Sequence, residues 1–219
     1  MASEGAIVVT GGMGALGRAL AAHLRDGGRR VVTLDRPGSG ADTELDLLSP
    51  TLASALAAFA PLDGAVLVAG GWAGGENVHE AASDETYRRM MAMNLDTVHA
   101  TLRAILPSLV AQGRGSVVVI GSRAAVRPDT SAGAAAYAAS KAAAVALAEA
   151  VAAEVRPHGV RINAVLPSTI DTPANRAAMP NADPSRWVSP TSLAEVIAFL
   201  LSDASRDVSG AAIPVYGRS

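Results

Sequence analysis

Short runs of apolar, mostly β-branched residues alternate along this chain with longer segments rich in alanine and leucine. AIVV (6–9), VVTL (31–34), AVLVA (65–69), SVVVI (116–120), VRINAVL (160–166) and AAIPVY (211–216) read as strands, with TELDL (43–47) as a short additional one. Most of these runs are apolar throughout instead of alternating with polar residues, which is the pattern of strands covered on both faces. Helices are predicted near 15–26, 50–59, 83–111, 134–156 and 191–202. Strand following helix from end to end predicts an α/β fold: one domain, 1–219, with a doubly wound parallel sheet of about seven strands flanked by helices. The least regular stretch is 167–190, whose prolines and polar residues predict a mobile excursion after the sixth strand. It leaves the carboxyl edge of the sheet, where open α/β sheets bind ligands, and so is placed to cover one.

Composition narrows the classes of function. The chain has 219 residues, 50% of them hydrophobic, enough for a single well-buried core. A net charge of −2 with 17% charged residues provides neither a basic footprint for nucleic acid nor a polybasic membrane surface. The expected partners are a small molecule and further copies of the chain. Cysteine is absent, which excludes disulfides and thiolate metal sites. His23, His79, His99 and His158 are scattered without ligand spacing, so no metal is expected. The start, MASEGAIVVTGG, lacks the basic and apolar regions of a secretory signal, and no apolar run reaches membrane-spanning length. A cytoplasmic location is expected.

The first strand runs into IVVTGGMGALGRAL, where Gly12, Gly14 and Gly17 form G-x-G-x-x-G and Gly11 extends it. Glycine permits a tight strand-to-helix turn and close approach of a pyrophosphate, while Gly17 lets helix and strand pack together. The acidic residue expected about 20 residues on is Asp35, at the end of the next strand. Its carboxylate would accept bonds from the adenosine ribose and repel a 2′-phosphate, favouring NAD; Arg36 beside it could tolerate a phosphate, so NADP is possible. Ala69, Gly70 and Gly71 end the strand from residue 65 with little side chain, allowing a ribose or ring to approach. Asp46 and Leu47 could flank an adenine.

In AAAYAASKAAAVALAEA (134–150), Tyr137 and Lys141 lie four residues apart, on one face of a helix. Hydride transfer at a carbonyl needs a proton donor or acceptor at its oxygen, and a phenol whose pKa is lowered by a nearby cation can serve. Ser122, just beyond the carboxyl end of a strand, can hold that oxygen. Trp72 and Trp187 are candidates for an aromatic wall of the substrate pocket.

With TGGMGALG, the Asp-Leu of LDL, AGG, MNLDTV, Ser122, YAASK, NAVLPSTIDTP and VSGAAIPVYG in order, the chain resembles the short-chain dehydrogenase/reductase family over essentially its whole length. The resemblance implies a Rossmann fold and an NAD(P)-dependent oxidoreductase acting on a carbonyl or alcohol. It implies Tyr137 as general acid/base, Lys141 binding the nicotinamide ribose and lowering the phenol pKa, Ser122 orienting the carbonyl, and Asn94 holding a relay water. It implies cofactor contacts from Met13, Ala15 and Leu16 in the glycine loop and from Pro167, Thr169 and Thr172 after the sixth strand, Thr172 at the carboxamide. A homodimer or homotetramer built on the helices near 83–111 and 134–156 is likewise implied. The stretch from Ser122 to Tyr137 is longer than the family pattern, so a small bulge is expected there. Within the family, GGMGALG, VAGGWAGG and VLPSTIDTPANRAAMPNADPSRW resemble loops of the dihydropteridine reductases, making a quinonoid pterin the alternative substrate. A non-catalytic dinucleotide-binding sensor is the alternative of a different class.

Overall fold

The computed structural model describes residues 5–218. Seven parallel strands form one sheet: β1 (Ala6–Thr10), β2 (Val31–Asp35), β3 (Thr43–Glu44), β4 (Leu62–Leu67), β5 (Gly115–Ile120), β6 (Val160–Pro167) and β7 (Ala212–Val215). Their spatial order is β3-β2-β1-β4-β5-β6-β7. The chain therefore winds outward from β1 through β2 and β3, then returns to the other side of β1 with β4. That reversal opens a crevice above the carboxyl ends of β1 and β4, where Gly11 to Gly14 and Ala69 to Gly71 emerge.

Continuous apolar strands are required because both faces are covered. Ala6 and Val8 of β1 face a core shared with Leu52 and Leu56 of α2 (Leu52–Ala57), Leu102 and Ile105 of α4 (Thr97–Gln112), and Ala144 and Ala148 of α5 (Ala135–Val155). Ile7 and Val9 face the opposite core, with Leu20 and Leu24 of α1 (Ala15–Asp26) and Leu193 and Ile197 of α7 (Pro190–Leu201).

The structure departs from the sequence reading at several places: the strand expected at 43–47 shrinks to Thr43–Glu44 and the helix expected at 50–59 to Leu52–Ala57, and three further differences bear on the site. The helix expected over 83–111 is interrupted: α3 (Glu85–Met91) passes through a π-helical turn at Ala92–Asp96 before α4. The widened turn inserts a residue and shifts the phase of the face that follows, a single step that a broadly apolar segment such as this one does not display. β4 begins earlier than expected, at Leu62, which pairs beside Ala6, and Val68 and Ala69 have already left the ladder. The excursion at 167–190 is not featureless. It contains α6 (Pro173–Ala178), started by Thr172 accepting from the Asn175 amide at 3.2 Å, with Pro173 in the first turn. The Asp171 and Val188 amides donate to the Val188 and Thr169 carbonyls at 2.8 and 2.9 Å, pinning the two ends of the excursion together.

Among the described residues no helix is long and apolar enough to cross a membrane.

Candidate active site

The crevice at the β1/β4 reversal holds a cavity of about 810 Å³, lined by the glycine loop, the end of β2 with its following turn, residues 45–47, and the end of β4. It gathers Gly11, Met13, Gly14, Ala15, Leu16, Gly17, Asp35, Arg36, Asp46, Leu47, Ala69, Gly70 and Thr172 of the expected cofactor residues. Gly12 is not in the lining. A Cβ there would lie 2.6 Å from Thr33 Cβ, so this glycine lets the loop sit on β2. Gly11 has φ of +63°, and a Cβ on it would lie 2.8 Å from the Ala69 backbone; both call for glycine. A Cβ on Gly17 would run into the Gly11 carbonyl and the Gly12 backbone, so this glycine lets α1 pack on the loop that leaves β1, where packing on the strand itself was expected.

The mouth of α1 suits an anion. Gly14 caps it without a side-chain bond, and its first turn carries no acidic residue, so its leading amides keep their capacity for a ligand. Asp35 accepts from the Met13 amide at 2.9 Å through one carboxylate oxygen and from the Arg36 amide at 2.8 Å through the other. It thus ties the glycine loop to β2 from the cavity wall. Arg18, also in the lining, donates from Nε to the Met13 carbonyl at 2.7 Å. The sequence reading passed over it, although its place one residue after Gly17 in the first turn of α1 was a usable signal.

A second cavity of about 560 Å³ shares Leu16, Val68 and Gly70 with the first and continues to Ser122, Tyr137 and Lys141. Pro167, Thr169, Gly71 and Trp72 also line it; Trp187 lines neither. Ser122 stands at the end of β5, where its Oγ accepts from the Ala124 amide at 3.2 Å and hydrogen-bonds Tyr137. Between them lie two 3-10 turns, Arg123–Ala125 and Pro128–Thr130, which form the bulge expected from the long spacing.

Tyr137 occupies the first turn of α5, and Lys141 follows one turn on. Lys141 Nζ donates to the Ile120 carbonyl at 2.8 Å. A Cβ on Gly70 would lie 3.3 Å from that Nζ and 2.6 Å from Asn94 Oδ1, so the bare strand end makes room for both.

Asn94 sits in the π-helical turn with its side chain fully buried. Its Oδ1 accepts from the Gly71 amide at 3.0 Å, and its Nδ2 donates to the Gly71 carbonyl at 3.0 Å and to Ser140 Oγ at 3.1 Å. Ser140 in turn donates to the Tyr137 carbonyl at 2.8 Å. The amide group is therefore a clamp between α5 and the segment that follows β4. Ser140 was missed in the sequence, where one serine in an alanine-rich helix gives no signal.

The electrostatics depart from expectation at one point. Burial pushes the Tyr137 phenol above its ordinary range, and the bond with Ser122 only partly opposes this. The expected lowering by Lys141 is not what the structure shows. Burial draws Lys141 itself from 10.5 down to about 8, and its ammonium is engaged by a backbone carbonyl.

A parallel α/β sheet with a glycine-lined crevice opening onto a serine, tyrosine and lysine defines a dinucleotide-dependent oxidoreductase. A family model described as enoyl-(acyl carrier protein) reductase matches residues 46–217. Galactitol 2-dehydrogenase of Rhizobium johnstonii is 31% identical over 236 residues, covering 95% of this chain and 92% of that protein. An oxidoreductase of the short-chain dehydrogenase/reductase family from Burkholderia thailandensis superposes with a TM-score of 0.86 at 30% identity, covering 98% of this chain and 92% of its own. A putative NAD(P)-dependent gluconate 5-dehydrogenase from Beutenbergia cavernae, with bound NADP, gives 0.88 at 28% identity, covering 99% and 96%. Other curated relatives match over a shorter stretch, one over 56% of its own length. The chain belongs to the short-chain dehydrogenase/reductase family of NAD(P)-dependent oxidoreductases. The finer resemblance to the dihydropteridine reductases is not among these likenesses and rests on loop sequence alone.

Proposed function

We propose that this protein is an NAD(H)-preferring oxidoreductase that interconverts a carbonyl compound and its alcohol, with Tyr137 moving the proton. The observation that carries this reading is the meeting of the two cavities: the crevice lined by Gly14, Asp35 and Gly70 continues, past Leu16 and Val68, into the one walled by Ser122, Tyr137 and Lys141. A nicotinamide bound there supplies a hydride to, or takes one from, the substrate carbon.

The residues divide the remaining work. The leading amides of α1 and the glycine backbone hold the pyrophosphate, and Thr169 and Thr172 close over the nicotinamide half. Asp35 binds the adenosine ribose and disfavours a 2′-phosphate, which supports the preference for NAD. Ser122 Oγ holds the substrate oxygen, and the Tyr137 hydroxyl gives it a proton during reduction or takes one during oxidation. Lys141 lies one turn from that phenol, placed to bind the ribose and restore the proton. Asn94 keeps Gly71 and α5 in register, and its turn is the place for the relay water. Assembly through α4 and α5 into a dimer or tetramer belongs to the same reading. It draws support from the small exposed residues Ala139, Ala146 and Ala150 on α5.

Tyr137→Phe tests the central role. Turnover should fall by at least about 100-fold while NADH affinity stays within a few-fold. Undiminished turnover of a working substrate would refute it.

A further inference from the structure

The cavity holding Ser122, Tyr137 and Lys141 contains one other formal charge, Arg123, and no carboxylate among its lining residues. Arg123 follows Ser122 directly, in the first of the two 3-10 turns, and is half-buried. Lys141 is engaged by the Ile120 carbonyl, whereas Arg123 makes no ion pair among the described residues. Two acids of the neighbouring loops, Asp129 and Asp171, are already held by other arginines. Arg127 grips Asp129 through two bonds at 3.0 and 3.1 Å, and Arg176 grips Asp171 at 2.6 and 2.8 Å.

What positions Arg123 is an aromatic ring. Its guanidinium carbon lies 5.8 Å from the Tyr216 ring centroid. The Tyr216 carbonyl in turn accepts from Ser168 Oγ at 2.8 Å, and Ser168 lines the same cavity. A ring fixes the side chain without neutralising it, and a guanidinium cannot shed its proton at any ordinary pH. A permanent cation, half removed from water and without an ion-pair partner among the described residues, belongs to a residue lining the same cavity as Ser122 and Tyr137.

We propose that Arg123 selects an anionic substrate: a carbonyl compound or alcohol that carries a carboxylate, sulfonate or phosphate a short chain away from the reacting carbon. Ser122 and Tyr137 take the oxygen, and the guanidinium takes the anion through two parallel hydrogen bonds. Trp72, 68% exposed, and Met179, 37% exposed, line the apolar side of the same cavity and cover the intervening chain. The inference rests on the oxidoreductase reading above and adds to it the charge of the substrate.

The test uses matched probes with the full chain in complex with NADH: 4-oxopentanoate against its methyl ester, and 3-oxobutanoate against its ethyl ester. Calorimetric binding is measured alongside NADH oxidation. The anion of each pair should bind at least tenfold more tightly than the ester, with an affinity that falls as salt is raised. Arg123→Gln should abolish that advantage, acting on KM and not kcat, while ester and NADH binding stay within twofold. Arg123→Lys should restore part of it. Tyr216→Leu should weaken anion binding several-fold by loosening the arginine. Equal binding of acid and ester, binding of neither, or an Arg123→Gln loss shared by both would overturn the proposal. These outcomes are read from binding, so they stand apart from the oxidoreductase reading, which instead fails if no ketone, neutral cyclohexanone included, is reduced while NADH binds.

Discussion

Lys141→Met should make the folded chain more stable at neutral pH while disabling the enzyme. The native lysine is 6% exposed, and burial moves its pKa from 10.5 to about 8. At about 1.4 kcal/mol per pH unit, carrying the ammonium in the fold costs about 3 kcal/mol. Methionine fills similar space without the charge, but leaves the Ile120 carbonyl without its donor at 2.8 Å, a loss of about 1 kcal/mol or slightly more. A net gain of about 1–2 kcal/mol is expected at pH 7. The sign with pH follows from linkage. Below pH about 8 both folded and unfolded lysines are protonated and the penalty is fully present; between about 8 and 10.5 the unfolded state binds more protons, so wild-type stability rises relative to the variant. Urea unfolding of both proteins from pH 6 to 10 measures this as a gap that shrinks with rising pH. A variant less stable than wild type at pH 7, or a gap that widens with pH, would refute the account of a destabilising cation kept for its chemistry.

Two further substitutions probe the cofactor side and the clamp. Asp35→Ser should raise the KM for NADH at least several-fold and narrow the discrimination against NADPH, measured as the ratio of kcat/KM values; an unchanged ratio would count against a carboxylate reading the ribose. Asn94→Ala should cost about 1–3 kcal/mol in urea unfolding, because it strips the part-buried Gly71 amide and carbonyl of partners at 3.0 Å. A loss below about 0.5 kcal/mol would show that the Gly71 backbone finds other partners.

Much of this molecule was legible in the sequence because its signals are local. Strands buried on both faces must be apolar throughout, so Ile7 and Val9 reveal one core while Ala6 and Val8 reveal the other. Glycines whose Cβ would strike backbone, as at Gly11 and Gly17, announce a tight loop by their spacing alone. What escaped depends on contacts between distant segments. The π-helical turn at 92–96 leaves no trace in apolar periodicity, and Ser140 gains its place only because Asn94 arrives from 46 residues away. Gly12 belongs to the motif but packs on Thr33 and does not line the crevice, a division that spacing cannot express. Proximity of Lys141 to Tyr137 was readable, whereas its effect on the phenol was not, since burial dominates both groups.

The amide of Asn94 grips the backbone of Gly71 on one side and, through Ser140, the first turn of α5 on the other. Gly71, in the cavity wall, and the helix bearing the phenol are therefore fastened to one another by a continuous run of hydrogen bonds. A shift of either segment is passed to the other through this one side chain, so the crevice wall and the phenol are mechanically coupled before any ligand arrives.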